Sequence, residues 1–218
     1  MLFRQYVPIT TATAGYQHEF VTGRTTVPVR GATTHRMVKI VNVVGSGSLD
    51  AEFDLERVAA DIGSIADYDP DKYPGMYLRF AEDAPLITVY RTGKYIVTGA
   101  DSEGEAYEIR ERFLNLFAEN GMITEPDDEW FRIQNLVCTA ELGESLNLNA
   151  LVIGLGLEKT EYEPEQFPGL IYRPSGADSV VLLFASGRVV ITGSPDLDAA
   201  EETFAVLQDE VTDLLSVD

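Results

Sequence analysis

Few residues in this chain are equipped to make or break bonds. Cys138 is the single cysteine, and both histidines, His18 and His35, lie within the first 36 residues. An internal disulfide is excluded, no zinc cluster can be assembled, and the rest of the chain has no histidine for a catalytic site. Carboxylates are too numerous to nominate a pair. The glycines of Gly154-x-Gly156 lack a third and follow no strand, so they are no dinucleotide fingerprint. What remains are hydrogen-bond donors set into apolar segments: the amides of Asn42 and Asn135 and the hydroxyls of Thr98 and Thr192. Their chemistry is recognition, and they recur in register.

The recurrence extends far beyond them. Tyr68, Pro70, Pro74, Gly75, Arg79, Gly93, Thr98 and Gly99 return 94 positions later as Tyr162, Pro164, Pro168, Gly169, Arg173, Gly187, Thr192 and Gly193. Ile40 and Asn42 return as Ile133 and Asn135 after 93, so the second copy has gained one residue. Such periodicity marks a duplicated unit. Each copy is expected to begin with a strand (38–44; 131–137) and a short helix (54–62; 147–155). Extended segments follow, in the first copy around Tyr68, 76–80, 86–90 and 95–98, and an amphipathic helix closes the unit (102–118; 197–215). The turns 91–94 and 185–188 read as hairpins. Strands without intervening helices imply an α+β fold, an antiparallel sheet with its helices on one face. Residues 1–36, rich in Thr with scattered Gly and Pro, read as a flexible tail, and Met37 as a candidate true start. The repeats are expected at 37–125 and 126–218.

The helix-free face should be polar if it meets only water. Alternation instead puts Ile40, Asn42 and Val44 on it in the first copy and Phe131, Ile133, Asn135 and Val137 in the second. Ile96 and Thr98 share one side of their strand, as do Val190 and Thr192. A wide apolar face relieved by Asn and Thr marks a binding surface for a protein, a lipid or a nucleic-acid groove. The polar exceptions favour the last. In the minor groove A·T pairs present acceptors alone, whereas G·C adds a protruding amino donor. Asn and Thr can donate to those acceptors, and flat aliphatic side chains leave no room for the amino group. Selection for A·T steps follows.

Composition limits the setting. The chain has 218 residues, 45% of them hydrophobic, and a formal charge of -20. Its 36 acidic residues face 12 Arg and only 4 Lys, and four of the Arg lie in the first 36 residues, so the acidity belongs to the folded part. An acidic, lysine-poor surface suits molar salt, where the Debye length shrinks to about 3 Å. No apolar run reaches the roughly 18 residues of a membrane span, and the amino end lacks a secretory pattern, so an intracellular, cytoplasmic protein is expected.

The pairs Asn42-Val43-Val44 and Asn135-Leu136-Val137, Tyr-Pro-Gly at 73–75 and Phe-Pro-Gly at 167–169, the Gly-Lys and Gly-Arg hairpins followed by Thr-Gly, and the stretch EYEPEQFPGLIYR from Glu161 to Arg173 resemble the TATA-binding protein family, in an archaeal and halophilic form. The resemblance covers both repeats. It implies a saddle with one curved antiparallel sheet on its concave face and helices on the convex one. That saddle would straddle the minor groove of AT-rich promoter DNA and kink it, as this family does. Asn42, Val44, Ile96, Thr98, Asn135, Val137, Leu182, Val190 and Thr192 would touch base edges. Tyr73, Tyr90, Phe167 and Phe184 would be the wedges. Arg79, Lys94, Arg173 and Arg188 would meet phosphates. Glu163, Pro164, Glu165 and Gln166 would receive transcription factor B, and RNA polymerase would follow indirectly. No cofactor, metal, membrane or small-molecule substrate is implied, and the protein would sit on the nucleoid without enzymatic activity.

Two departures stand out. The family has phenylalanine where Tyr73 and Tyr90 stand, and a basic residue where Asp101 and Pro195 stand, so a shallower or more sequence-tolerant kink and weaker phosphate binding are expected. The alternatives are a divergent paralogue that mainly contacts proteins and an accessory DNA-binding domain of a repair enzyme.

Overall fold

The computed structural model describes residues 38–216; the expected tail and the proposed start at Met37 lie outside them. Repeat 1 runs β1 (Lys39–Ser48), α1 (Leu55–Ile62), β2 (Ala66–Asp67), β3 (Gly75–Leu78), β4 (Leu86–Tyr90), β5 (Lys94–Ala100) and α2 (Glu103–Glu119). Repeat 2 gives the same series: β6 (Arg132–Glu141), α3 (Leu148–Leu155), β7 (Thr160–Glu161), β8 (Leu170–Tyr172), β9 (Val180–Leu183), β10 (Arg188–Ser194) and α4 (Leu197–Leu215). The first helix keeps a spacing of 93 and the short strand after it a spacing of 94, which puts the gained residue in the connection between Leu155 and Thr160.

All ten strands join one antiparallel sheet in the order β2-β3-β4-β5-β1-β6-β10-β9-β8-β7. The order is its own mirror image about the β1–β6 ladder, where the two copies hydrogen-bond to each other. The repeats are therefore halves of one sheet, the α+β saddle.

Each helix begins where a short polar side chain takes an otherwise unused backbone N–H. Asp54 accepts from Arg57, Ser102 from Glu105, Asn147 from Ala150 and Asp196 from Ala199. On α2 the buried stripe is Ala106, Ile109, Phe113, Leu114 and Phe117, and Leu116 packs half-buried against the same core. On α4 it is Ala200, Thr203, Phe204, Leu207 and Val211. These stripes cover the strand residues Val43, Tyr95, Val97, Leu136, Cys138, Val189 and Ile191, all fully buried.

The central strands correct the simple alternation. Both extend past the expected ends, to Ser48 and Glu141. In β1 the register slips at Val41, so Ile40 lies opposite buried Cys138, and in β6 it slips at Gln134, so Ile133 lies opposite Gly45. A bulged residue reverses the inside–outside pattern on one side of it. Ile40 and Ile133 therefore pack against the core, and Phe131 is buried against Tyr95 and Tyr107 with its ring filling the space above Gly45. None of the three belongs to the open face. Asn42, Val44, Asn135 and Val137, on the other side of the bulges, do.

Candidate nucleic-acid interface

The open face is built in rows that cross the sheet. At its centre Val44 pairs with Asn135 and Asn42 with Val137, which sets the four side chains around the pseudo-two-fold axis. Thr98 pairs with Val44 on one flank and Thr192 with Val137 on the other. Further out a second row runs Tyr77, Thr88, Ile96, Ser46 in repeat 1. Its mirror image runs Ile171, Leu182, Val190, Thr139. The sheet thus brings all nine expected base-edge residues onto one surface. Thr88 and Tyr77 join them without having been singled out by type, and the 94-residue register, which carries Leu182 back to Thr88 and Ile171 back to Tyr77, is the signal that finds them.

The asparagines do two jobs. Gly99 and Gly193 are the extra residues of bulges in β5 and β10, with φ of 94° and 88°. A backbone there is costly for any residue with a Cβ. Each bulge frees a backbone N–H from the ladder. The Gly99 N–H donates to Asn42 Oδ1 at 2.7 Å and the Gly193 N–H to Asn135 Oδ1 at 2.6 Å. Only the carbonyl end of an amide can accept, so this bond decides which way each amide points. The NH2 groups are left for other partners. Asn135 Nδ2 lies 3.2 Å from Thr192 Oγ1 and retains a second hydrogen. Two oriented donors thus stand beside Val44 and Val137.

The four aromatic residues lie in pairs, one pair toward each end of the sheet. Phe167 and Phe184 meet edge to face, centroids 5.9 Å apart at 69°. Tyr73 and Tyr90 are 6.3 Å apart, and their hydroxyls bond to each other at 2.7 Å. Each phenol is thereby the partner that the other needs when buried. Burial first, and the bond to Tyr73 second, push the Tyr90 hydroxyl up to about 12. The Pro-Gly that follows each first aromatic has a steric cause. A Cβ on Gly75 would come within 2.9 Å of Tyr73 and 3.1 Å of Tyr90, and on Gly169 within 2.6 Å of Phe167 and 3.2 Å of Phe184.

Charge is sparse on this face. Lys94 and Arg188 are exposed and open β5 and β10, opposite Ser48 and Glu141 respectively. Arg173 forms an exposed ion pair with Glu161 at 3.6 Å, and Arg79 donates to the Glu82 carbonyl at 3.0 Å. Both would have to exchange these partners for phosphate. Glu163, Pro164, Glu165 and Gln166 form an exposed turn directly before Phe167, closed by bonds from the Gln166 and Phe167 N–H groups to the Glu163 carbonyl, each 2.9 Å. The Asp101 N–H is taken up by Glu105. Cys138 is buried, and burial with the nearby Glu201 pushes its thiol up to about 11, so it stays protonated at neutral pH.

A pseudo-two-fold open sheet with paired aromatics at its ends and oriented amide donors at its centre defines a two-repeat saddle protein. The family model described as "Transcription factor TFIID (or TATA-binding protein, TBP)" matches residues 37–120 and 130–214. The chain belongs to the TATA-binding protein family. It is 50% identical over 179 residues to TATA-box-binding protein C of Halobacterium salinarum, spanning 82% of this chain and 99% of that one. It is 44% identical over 177 residues to TATA-box-binding protein 1 of Haloferax volcanii, spanning 81% and 93%. Among solved structures it is similar to the TBP of Methanococcus jannaschii, with a TM-score of 0.71 and 39% identity over 81% of this chain and 98% of that one. The halophilic relatives agree with the acidic composition.

Proposed function

We propose that this protein is a general transcription initiation factor that lays its concave sheet in the minor groove of AT-rich promoter DNA. The carrying observation is the pair of bulges that turn Asn42 and Asn135 so that their amides donate beside Val44 and Val137. A donor-bearing, otherwise aliphatic floor complements the acceptor-only edge of A·T pairs and collides with the guanine amino group. Thr98, Thr192, Ile96, Val190 and Leu182 extend that floor. Phe167 with Phe184, and Tyr73 with Tyr90, enter base steps and bend the duplex. Lys94, Arg188, Arg79 and Arg173 hold phosphates. The exposed acidic turn Glu163–Gln166 takes transcription factor B, which brings RNA polymerase, and the protein works on the nucleoid without catalysing a reaction.

Salt separates this reading from ordinary electrostatic binding. A conventional binder weakens with a slope of about -0.9 per phosphate neutralised. With few cations on the face and many carboxylates around it, affinity for an AT-rich duplex is expected to hold or rise toward molar KCl. Titration by fluorescence anisotropy across that range is the measurement, and a steep loss of affinity with salt would overturn the reading.

A further inference from the structure

The two ends of the open face differ in one consistent way. Phe167, Ile171, Leu182 and Phe184 in repeat 2 are hydrocarbon throughout. Their mirror positions in repeat 1 are Tyr73, Tyr77, Thr88 and Tyr90, so each of the four carries a hydroxyl. The four form one connected group. Tyr73 stacks on Tyr77 with centroids 5.3 Å apart at 10°, Tyr73 and Tyr90 share a hydrogen bond, Thr88 pairs with Tyr77 across the ladder, and Gly75 lies between Thr88 and the rings. In the Tyr73–Tyr90 pair one hydroxyl donates to the other, which leaves one O–H and lone pairs on both oxygens. Among the described residues no group bonds the Thr88 hydroxyl.

Resting on the minor-groove reading above, we propose that repeat 1 tolerates G·C pairs in the stretch of groove it covers whereas repeat 2 does not, so that Tyr73, Tyr77, Thr88 and Tyr90 give the recognised site its polarity. Two physical effects act together. Threonine is shorter than leucine, so Thr88, 7% exposed beside the tyrosine rings, projects less far toward a guanine amino group than Leu182 does in repeat 2. A hydroxyl both accepts and donates. It meets the guanine amino donor through a lone pair and meets adenine N3 or thymine O2 through its hydrogen. Hydrocarbon side chains offer the amino group neither room nor an acceptor, and an unpaired donor buried against them is penalised. The hydroxyl end is thus indifferent to pair type, and the hydrocarbon end discriminates.

The test begins with selection of duplexes bound by the full chain from a random pool in molar KCl. A G·C pair is then walked through the selected site while affinity is measured by anisotropy. The expected profile is lopsided: a G·C pair costs about 10-fold or more in one half and under about 3-fold, less than one ordinary hydrogen bond, in the other. Inosine, which lacks the amino group, is expected to restore affinity in the discriminating half and to bring no gain in the tolerant one. The Y73F/Y77I/T88L/Y90F variant is expected to make both halves discriminate, and T88L alone to do so in part. Equal G·C costs in the two halves of a bound duplex, or a lopsided profile unchanged in these variants, would overturn the proposal. If the fourfold variant fails to fold, the inosine series on the unaltered protein decides it. Absence of binding to every duplex would defeat the minor-groove reading itself, an outcome distinct from binding with symmetric costs.

Discussion

Repeat 1 buries a polar cluster where repeat 2 is hydrocarbon, and at four outer positions of the open face it carries hydroxyls whose counterparts in repeat 2 are hydrocarbon. Tyr95, fully buried, donates its hydroxyl to Asp128 Oδ2 at 2.6 Å. Asp128, itself buried and supplied by the segment between the repeats, also accepts from the backbone N–H of Ser48 and of Trp130. Arg110 of α2 bonds the Asp128 carbonyl at 2.6 Å. The mirror position of Tyr95 is Val189, with no such network. Repeat 2 instead buries Tyr172, whose hydroxyl donates to Glu210 on α4, and its mirror position is Leu78. Duplication thus preserved backbone course and bulges while the polar anchors moved to different strands. Symmetry in this protein is a property of the backbone, and asymmetry is carried by side chains.

The largest difference is expected at the proposed wedges. Phe167→Ala with Phe184→Ala should abolish bending, read as energy transfer across an end-labelled duplex, and weaken binding about 100-fold, since unstacking a step is worth a few kcal/mol. Tyr73→Ala with Tyr90→Ala should cost about 10-fold and leave most of the bend. Equal effects would break the comparison of the two ends. Next in size is the buried anchor. Tyr95→Phe leaves a buried carboxylate oxygen short of a donor and is expected to cost about 1–3 kcal/mol in urea unfolding. Tyr172→Phe should cost less, because Glu210 keeps partial access to water.

Smaller effects test the symmetric part. Gly99→Ala and Gly193→Ala should each cost about 1–2 kcal/mol in denaturant unfolding, from the backbone strain of a positive φ. Gly193→Ala should cost the more, because its Cβ would lie 3.1 Å from the Asp178 carbonyl oxygen whereas that of Gly99 meets nothing nearer than 3.7 Å. Both should also weaken DNA binding through the Asn amides they orient. The smallest effect is that of alkaline pH. The neutral forms of Cys138, Tyr90, Tyr95 and Tyr172 are all favoured in the folded chain, chiefly by burial. An unfolded chain releases these protons from about pH 9 for the thiol and about 10 for the phenols. Above those values the unfolded state binds fewer protons, so stability is intact below pH 9 and falls between about pH 9 and 12. Tyr95→Phe should flatten that fall in a pH series of melting temperatures.

Much of the fold was legible because a duplicated register reports twice. The helix stripes, the hairpins and the mirror pairs Asn42/Asn135 and Thr98/Thr192 could each be read in one copy and checked in the other. The errors came where periodicity is broken by a single residue. Alternation puts Ile40, Ile133 and Phe131 on the open face because it assumes an unbroken ladder, and the slips at Val41 and Gln134 reverse it. A bulge has no residue signature of its own when the extra residue is Val or Gln. The glycine bulges could have been suspected from the Thr-Gly pairs, but not that their N–H groups turn the asparagines.

The amino-acid sequence by itself determined the duplication, the α+β composition of each copy, the family, the acidic character and the list of side chains available for recognition, because those depend on residue type and spacing alone. Tertiary structure decided which strands of the two copies join at the centre, which residues face outward beyond each bulge, and how the tyrosine hydroxyls and asparagine amides are aimed. These depend on partners dozens of residues away, since a hydrogen bond's direction is set by both of its ends. Tyr73 was visible in the sequence as a departure; only its 2.7 Å bond to Tyr90 and its stacking on Tyr77 turn that departure into a polar end of the saddle.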